Sequence, residues 1–336
     1  MSDYRIAIVN SSSFGRIFPE HLTRLEAIGE VKRFEFEPTV SGRELAHALH
    51  GFNLIIASVT PNFDREFFQQ KDELYLISRH GIGYNNVDLS AAKEHGTVVS
   101  IVPALVERDA VAENNVTNLL SVMRHTQAAT TAVKQDQWEG RAQFVGHSLF
   151  NKRVGIIGIG NTGSAVAEIL RQGFRCQVVA YDPNKSPLDM AQFGVKKVDF
   201  ETLLETSDVI CLCANLTDEN YHMINHETLK QMKPGVYLSN SARGALVDET
   251  AMVESLKTGH VAGFATDVLE EEPGRMDHPY LSFDNVVVTP HTSAYTKECL
   301  EAMGDKCVTD CERFTKHQLP ERAVQPDTPY LIETIK

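Results

Sequence analysis

Arg243, Glu272 and His291 each stand in a polar turn that closely follows a short apolar run. Arg243 lies in Asn240-Ser-Ala-Arg-Gly-Ala245 after the run Gly235 to Ser239, and Glu272 lies in Asp267-Val-Leu-Glu-Glu-Glu-Pro273 after Val261 to Ala265. His291 lies in Thr289-Pro-His-Thr-Ser293 after Val286 to Thr289. A guanidinium grips a carboxylate through two parallel hydrogen bonds, which a lysine cannot do. An imidazolium delivers a proton near neutral pH, and a carboxylate on its other ring nitrogen favours the cationic form and fixes the ring. Together these groups suit the reduction of a ketone that carries a carboxylate, where a developing alkoxide must be protonated. Singly, each has a plainer reading: a surface arginine, a solvated glutamate in an acidic run, a histidine in a turn. Their joint placement after three successive apolar runs favours a shared site facing one cleft.

Such a reduction needs a hydride donor, and Val154 to Gly163, VGIIGIGNTG, supplies the signature of a place to hold one. The apolar run ends in Gly158, Gly160 and Gly163, and a helical pattern from Ser164 to Arg171 follows. Gly158 lets the chain turn sharply off a strand, Gly160 lets backbone approach a pyrophosphate, and Gly163 lets helix and strand pack closely. The helix N-terminus then faces the diphosphate. A second apolar run, Gln177 to Tyr181, ends at Asp182. A carboxylate there accepts hydrogen bonds from both ribose hydroxyls and repels a 2′-phosphate, so NAD is expected rather than NADP.

Composition sets the surroundings. The chain has 336 residues, 42% hydrophobic and 23% charged, enough for two cores in an ordinary globular protein. A formal charge of −13, spread along the chain, argues against a nucleic-acid partner. No apolar stretch approaches membrane-spanning length, and MSDYRIAIV lacks the parts of a signal peptide, so a cytoplasmic location is expected. The six cysteines form no disulfide framework. Cys307 and Cys311, one helical turn apart, have no companion Cys or His motif, and no metal site is expected.

The elements that must position these residues alternate along the chain. In the first hundred residues short apolar runs (Arg5 to Val9, Val31 to Phe36, Leu54 to Ala57, Tyr75 to Ser78, Thr97 to Ser100) alternate with helical patterns (Pro19 to Ile28, Gly42 to Leu49, Leu89 to His95). Helical patterns at Ala110 to His125 and Val133 to Trp138 are expected to bridge two lobes. Beyond Asp182 the runs Val209 to Cys213, Gly235 to Ser239, Val261 to Ala265 and Val286 to Thr289 complete a second sheet. The expected fold is therefore α/β, with two doubly wound parallel-sheet domains: a Rossmann NAD-binding domain over 104–296 and a smaller flavodoxin-like substrate domain. The latter is discontinuous, 1–103 and 297–336, because the last helical stretch, Lys297 to Lys316, has no further strand to lead into and is expected to cross back. Residues 321–336 read as an extended tail.

In the order NSARGALVD, DVLEEEP and TPHTSAYT, downstream of VGIIGIGNTG and Asp182, the chain resembles the D-isomer-specific 2-hydroxyacid dehydrogenases, D-lactate dehydrogenases among them. The resemblance runs from about Leu76 to Phe314, while the N-terminal lobe agrees in pattern only. It implies an NAD-dependent enzyme in which Arg243 binds substrate, Glu272 pairs with the acid/base His291, and Asp267 meets the nicotinamide carboxamide. It further assigns Gly158, Gly160, Asn161, Thr162, Gly163, Asp182, Ala214, Asn215, Ser241, Ala242 and Arg243 to the cofactor. His80, Gly81, Ile82, Gly83 and Tyr295 go to the substrate, with free backbone N–H groups at Ile82 and Gly83 as anion donors. A homodimer is implied as well.

The chain departs from the family pattern at Cys213 and Asn215, where His and Pro are usual. Ala57-Ser-Val-Thr60 lacks the basic residues with which phosphoglycerate dehydrogenases grip a phosphate. His291 to Thr296 resembles the D-lactate and D-hydroxyisocaproate branch, whereas HGIGYNNVD resembles the phosphoglycerate and glyoxylate branch. The leading expectation is reduction of pyruvate to D-lactate. Glyoxylate/hydroxypyruvate reductase, phosphoglycerate dehydrogenase and phosphite dehydrogenase are alternatives. A formate dehydrogenase is disfavoured because those enzymes pair the histidine with an amide, and an NAD-sensing corepressor ranks last.

Overall fold

The computed structural model describes residues 4–324. The chain divides into two compact units, Met1–Glu107 with Thr296–Lys336, and Arg108–Tyr295. Its strands in chain order are β1 (Arg5–Val9), β2 (Glu30–Phe34), β3 (Leu54–Ala57), β4 (Leu76–Arg79), β5 (Val98–Ser100), β6 (Arg153–Ile157), β7 (Gln177–Tyr181), β8 (Lys196–Lys197), β9 (Val209–Leu212), β10 (Val236–Asn240), β11 (Val261–Thr266), β12 (Val286–Val288) and β13 (Ala323–Val324).

The first unit carries a sheet of order β13-β5-β4-β3-β1-β2, parallel except for β13. The part β2-β1-β3-β4-β5 is the flavodoxin-like order. Alternation decides its two faces: Ile6, Ile8, Leu54 and Ile56 pack toward helix Lys297–Phe314, while Ala7, Val9, Ile55 and Ala57 pack on the opposite side. Cys307 and Cys311 are fully buried against that first face as apolar core. Asp64, Asp88 and Thr296 accept amide hydrogen bonds at helix starts, as N-cap residues do.

The second unit is built on the all-parallel order β12-β11-β10-β9-β6-β7-β8. This is the Rossmann arrangement, with its switch point between β6 and β9. Both faces are covered by apolar layers, which is why β9 and β10 are buried along their whole length. One register line crosses this sheet through Tyr181, Ile157, Leu212, Asn240, Thr266 and Val288. The next residues are therefore Asp182, Gly158, Cys213, Ser241, Asp267 and Thr289, so the fold brings every turn singled out in this part of the sequence to one edge.

Several expectations are corrected. The long helix spans Ala104–Met123, and the second helix is Thr126–Lys134 rather than Val133 to Trp138. His125, at φ 52°, breaks the two apart, and Trp138 opens an exposed 3-10 turn, Trp138–Phe144. Lys297–Phe314 does lead to a strand: Ala323 and Val324 are buried and pair antiparallel with Ser100 and Val99, so the expected tail begins as an edge strand. Residues 325–336 of that tail lie outside the described residues. The short helix Arg65–Gln70, which buries Phe67 and Phe68, was not expected. Among the described residues no helix is long and apolar enough to cross a membrane.

Candidate active site

The turn after β10 is shaped by its last residue. Asn240 is buried, its Nδ2 donates to the Arg243 carbonyl at 2.9 Å and its Oδ1 accepts the Ala242 amide at 3.0 Å. This closes Ser241 and Ala242 into a tight loop and presents Arg243, whose Nη1 donates to the Ala242 carbonyl at 2.7 Å. A Cβ on Gly244 would stand 1.9 Å from the Leu269 carbonyl carbon, so only glycine lets this turn lie against the loop after β11. Sequence thus brings the backbone of the arginine turn directly onto the loop that carries Glu272.

His291 Nδ1 bonds Glu272 Oε2 at 2.8 Å, and Glu272 Oε1 accepts the Leu269 amide at 3.1 Å. Burial alone would push the Glu272 carboxyl up; the His291 hydrogen bond and charge, the Leu269 amide and the Arg243 charge outweigh it and hold the carboxyl below its ordinary value. Glu272 therefore stays ionised through the neutral range. The ring's Nε2 is left to meet an oxygen of a bound molecule, as a proton donor when the imidazole is charged.

The backbone of His291 is itself unusual, at φ 52° in the left-handed region. Asp267 holds it there. The Asp267 carbonyl accepts the His291 amide at 2.9 Å, and its buried carboxylate accepts from the Thr289 hydroxyl, the Thr292 amide at 2.9 Å and the Ser293 amide at 2.7 Å. The long helix adds a second hold. Asn118 Nδ2 donates to Thr289 Oγ1 at 3.1 Å, Ser293 Oγ donates to Asn114 Oδ1 at 2.9 Å, and Asn115 Nδ2 donates to Ser241 Oγ at 2.8 Å. Sequence reasoning gave these asparagines no role. Their signal was available, because Asn114, Asn115 and Asn118 crowd one turn of a helix that otherwise favours apolar residues, where asparagine is unfavourable unless its amide is used.

The glycine turn fits a dinucleotide. Gly158 has φ +88°, and a Cβ there would come within 2.6 Å of Ala214 across the switch point, while a Cβ on Gly163 would come within 2.0 Å of the Gly158 carbonyl oxygen. Around Gly160 a Cβ would meet nothing within 4 Å, which leaves the open approach a pyrophosphate needs at the start of helix Asn161–Glu168. Asp182 braces the turn, its Oδ2 accepting the Ile159 amide at 3.0 Å and its Oδ1 the Asn184 amide at 2.9 Å. Asn161 and Thr162 open the helix. After β9, the Asn215 carbonyl accepts from Asn220 Nδ2 at 2.7 Å, and burial pushes the Cys213 thiol up to about 12, so it is no nucleophile. Tyr295 is exposed, with its amide bonded to the Thr292 carbonyl at 2.8 Å.

The loop His80 to Val87 belongs to the other unit. Gly81 has φ +155°, and the Val102 amide donates to its carbonyl at 3.2 Å. The expectation of a free amide at Ile82 is corrected: Glu107, from the first turn of the long helix, accepts it at 2.9 Å. His80 is buried beside Phe14, and its Nε2 has no hydrogen-bond partner. Burial first, then the charges of Arg79 and His21, lower its pKa from 6.5 to about 3. Between those values the unfolded chain takes up a proton that the folded chain refuses. Stability should therefore fall by about 1.4 kcal/mol per pH unit from this group as pH drops from 6.5 toward 3. Urea unfolding at pH 7.5 and 5.0 checks this, and the loss should shrink in His80→Phe.

A sequence profile of the D-isomer specific 2-hydroxyacid dehydrogenase NAD binding domain matches residues 116–293. The chain is 32% identical over 319 residues to a glyoxylate reductase of Thermococcus litoralis, covering 93% of this chain and 96% of that one. It is 38% identical over 282 residues to a D-3-phosphoglycerate dehydrogenase of Archaeoglobus fulgidus, covering 84% of this chain but 53% of that protein, so it spans about half the length of that relative. The apo-structure of D-lactate dehydrogenase from Escherichia coli superimposes with a TM-score of 0.81 at 30% identity, covering 94% of this chain and 98% of that one.

Proposed function

Since the chain belongs to the D-isomer specific 2-hydroxyacid dehydrogenases, a family of NAD-dependent oxidoreductases, we propose that it reduces small, unphosphorylated 2-keto acids to D-2-hydroxy acids, with glyoxylate and hydroxypyruvate ahead of pyruvate. The observation that carries the chemistry is the 2.8 Å pair of His291 and Glu272 beside the Arg243 charge. The order of substrates departs from the sequence expectation, which put pyruvate first. Support for the change comes from the glyoxylate reductase, the curated relative named above that matches along nearly its whole length. The phosphoglycerate dehydrogenase extends well beyond this chain, and Ala57-Ser-Val-Thr60 offers no cation for a phosphate.

When bound, NADH supplies the hydride. Arg243 grips the substrate carboxylate in two parallel hydrogen bonds and sets the keto group toward His291. His291 Nε2 donates its proton to the developing alkoxide, while Glu272 balances the imidazolium charge and keeps Nε2 aimed. Asp267 and the asparagines of the long helix hold the histidine turn through this step. Gly158, Gly160, Asn161, Thr162, Gly163, Asp182, Ala214, Asn215, Ser241, Ala242 and Asp267 form the cofactor's bed. Replacing Asp182 by Asn keeps an acceptor for the Ile159 amide but removes the charge that repels a 2′-phosphate. The NADH-over-NADPH ratio of kcat/KM should fall about tenfold or more; an unchanged ratio would remove Asp182 from the ribose site.

A homodimer belongs to the same reading. Val133, Trp138, Val145 and Phe150 are all exposed within one stretch of the second unit, apolar side chains that a partner subunit could cover. Sedimentation of the wild type and of Trp138→Glu tests it. The substrate reading is tested by steady-state NADH oxidation over glyoxylate, hydroxypyruvate, pyruvate, phenylpyruvate, 2-ketoisocaproate and oxaloacetate. The highest kcat/KM should belong to glyoxylate or hydroxypyruvate, and a tenfold preference for pyruvate would restore the lactate reading.

A further inference from the structure

The dipeptide Leu269-Glu270 touches both the arginine turn and Glu272. The Leu269 amide donates to Glu272 Oε1 at 3.1 Å, and a Cβ on Gly244, the residue after Arg243, would come within 2.2 Å of the Glu270 nitrogen. The Glu270 side chain reaches a third segment. Its Oε1 accepts the Tyr221 hydroxyl at 2.6 Å, and both of its oxygens lie 3.0 Å from His222 Nε2. The two rings are stacked, with centroids 3.9 Å apart and an interplanar angle of 16°, and bring their polar tips to that one oxygen. The backbone beneath them is tied to the chain just after Arg243. The His222 amide donates to the Ala245 carbonyl at 2.9 Å, the Ile224 amide to the Leu246 carbonyl at 3.0 Å, and the Asp248 amide to the Ile224 carbonyl at 2.8 Å. His222 takes φ 50°, in the left-handed region, at this corner. The Tyr221-His222 corner thus moves with the arginine turn, and Glu270 with the loop of Glu272.

We propose that Glu270 is a positioning residue: clasped by Tyr221 and His222, it fixes the loop of Glu272 to the arginine turn and so places the carboxylate that aims His291. The two sides of the clasp are unequal. The arginine turn is closed by Asn240 at the Ala242 amide and the Arg243 carbonyl, and it carries the backbone bonds to the 222–224 segment as well. The loop of Glu272 lies outside any strand or helix between β11 and the 3-10 turn Pro279–Ser282, so side-chain anchors decide where it rests. A brace on the Glu270 backbone complements the clasp. Glu249 Oε1 accepts the Glu270 amide at 3.1 Å, and Glu249 Oε2 meets His278 Nε2 at 3.1 Å. His278 Nδ1 accepts the Tyr280 amide at 3.3 Å, so its proton is on Nε2 and donates to Glu249. This brace does not use the Glu270 side chain. Loss of the clasp should therefore loosen the loop without unfolding it, and should act on proton delivery through Glu272 while the grip of Arg243 on the substrate carboxylate persists. The inference rests on the reading of the protein as a 2-keto acid reductase with Arg243, Glu272 and His291 in the roles proposed.

Glu270→Ala removes the acceptor, whereas Glu270→Gln keeps an oxygen for both donors, since Oε1 alone serves Tyr221 and His222. Each is compared with wild type in the NADH-dependent reduction of hydroxypyruvate, in water and in deuterium oxide. Active sites are counted by NADH fluorescence titration, so that a smaller folded fraction does not enter kcat. Glu270→Ala should lower kcat about 10- to 100-fold with KM within about threefold of wild type. Its solvent isotope effect on kcat should rise, because proton transfer becomes more nearly rate-limiting. Glu270→Gln should restore kcat to within about threefold of wild type. Tyr221→Phe with His222→Asn strips the clasp from the other side, asparagine tolerating the left-handed backbone but falling short of Glu270. This pair should reproduce the Glu270→Ala loss, and adding Glu270→Ala to it should cost nothing further. If Glu270→Ala holds no NADH, the Tyr221→Phe, His222→Asn variant decides by the same criteria. A kcat within about threefold of wild type without the clasp, a glutamine variant as slow as the alanine one, or an unchanged isotope effect overturns the inference. Wild-type turnover is read first: none with any 2-keto acid sinks the underlying reading and the inference with it, whereas an active wild type with one of those results sinks the clasp alone.

Discussion

Replacing His291 by Gln should lower kcat by about 100- to 10,000-fold while NADH binding stays near the wild-type value. Glutamine keeps an amide near Nε2 but has no proton to give at neutral pH. The developing alkoxide is then left to solvent. His291 is held at φ 52° by contacts to Thr289, Thr292 and Ser293 and to its own amide, and its ring enters none of those bonds. The turn should therefore survive the substitution, so the loss is chemical rather than structural. Rates from single-turnover NADH oxidation, with cofactor affinity measured in parallel, separate the two. Turnover within tenfold of wild type would remove His291 from proton transfer.

Arg243→Ala should be comparably severe but distributed differently. Two charge-assisted hydrogen bonds to a carboxylate are lost, each about 1.5 to 3 kcal/mol, so kcat/KM should drop about 100-fold at least and up to 10,000-fold. Part of the loss should appear as a raised KM, because the carboxylate is held in the ground state as well. Arg243→Lys should recover only a fraction, since an ammonium cannot reproduce the parallel pair. Glu272 gives an internal check, because the Arg243 charge helps to hold its carboxyl low. Arg243→Ala removes that help, yet the His291 bond remains and the pair should persist. A variant with unchanged KM and kcat would place the substrate carboxylate elsewhere.

How much of this was legible in the sequence follows from the kind of physics involved. Arg243, Glu272 and His291 were singled out because a doubly wound sheet sends the end of every strand to one edge, and apolar runs reveal where strands end. β1, β3 and β7 were read with their observed bounds for the same reason. What escaped notice depends on contacts between residues distant in sequence. The Glu107 bond to Ile82 joins a helix start to a loop well upstream, and nothing in either segment announces the other. The hold of Asp267 on the histidine turn is a matter of side-chain direction at close range. β13 is only two residues long, too short for any alternation to register, and is defined by the edge it finds on β5. Helix Arg65–Gln70 is likewise too short for periodicity, although its Asp64 cap was visible in retrospect. Substrate choice is harder still, because one methylene in a pocket is worth only about 1 to 3 kcal/mol.

The most direct measurement of the central claim is the product formed from hydroxypyruvate and NADH by the wild-type protein, resolved by chiral chromatography alongside cofactor consumption. Glyoxylate cannot serve here, because its product has no stereocentre. Membership in the D-isomer specific family, with Arg243 and His291 in the roles proposed, predicts one D-glycerate for each NADH oxidised; L-glycerate, or no oxidation of NADH with any keto acid of the panel, would contradict it.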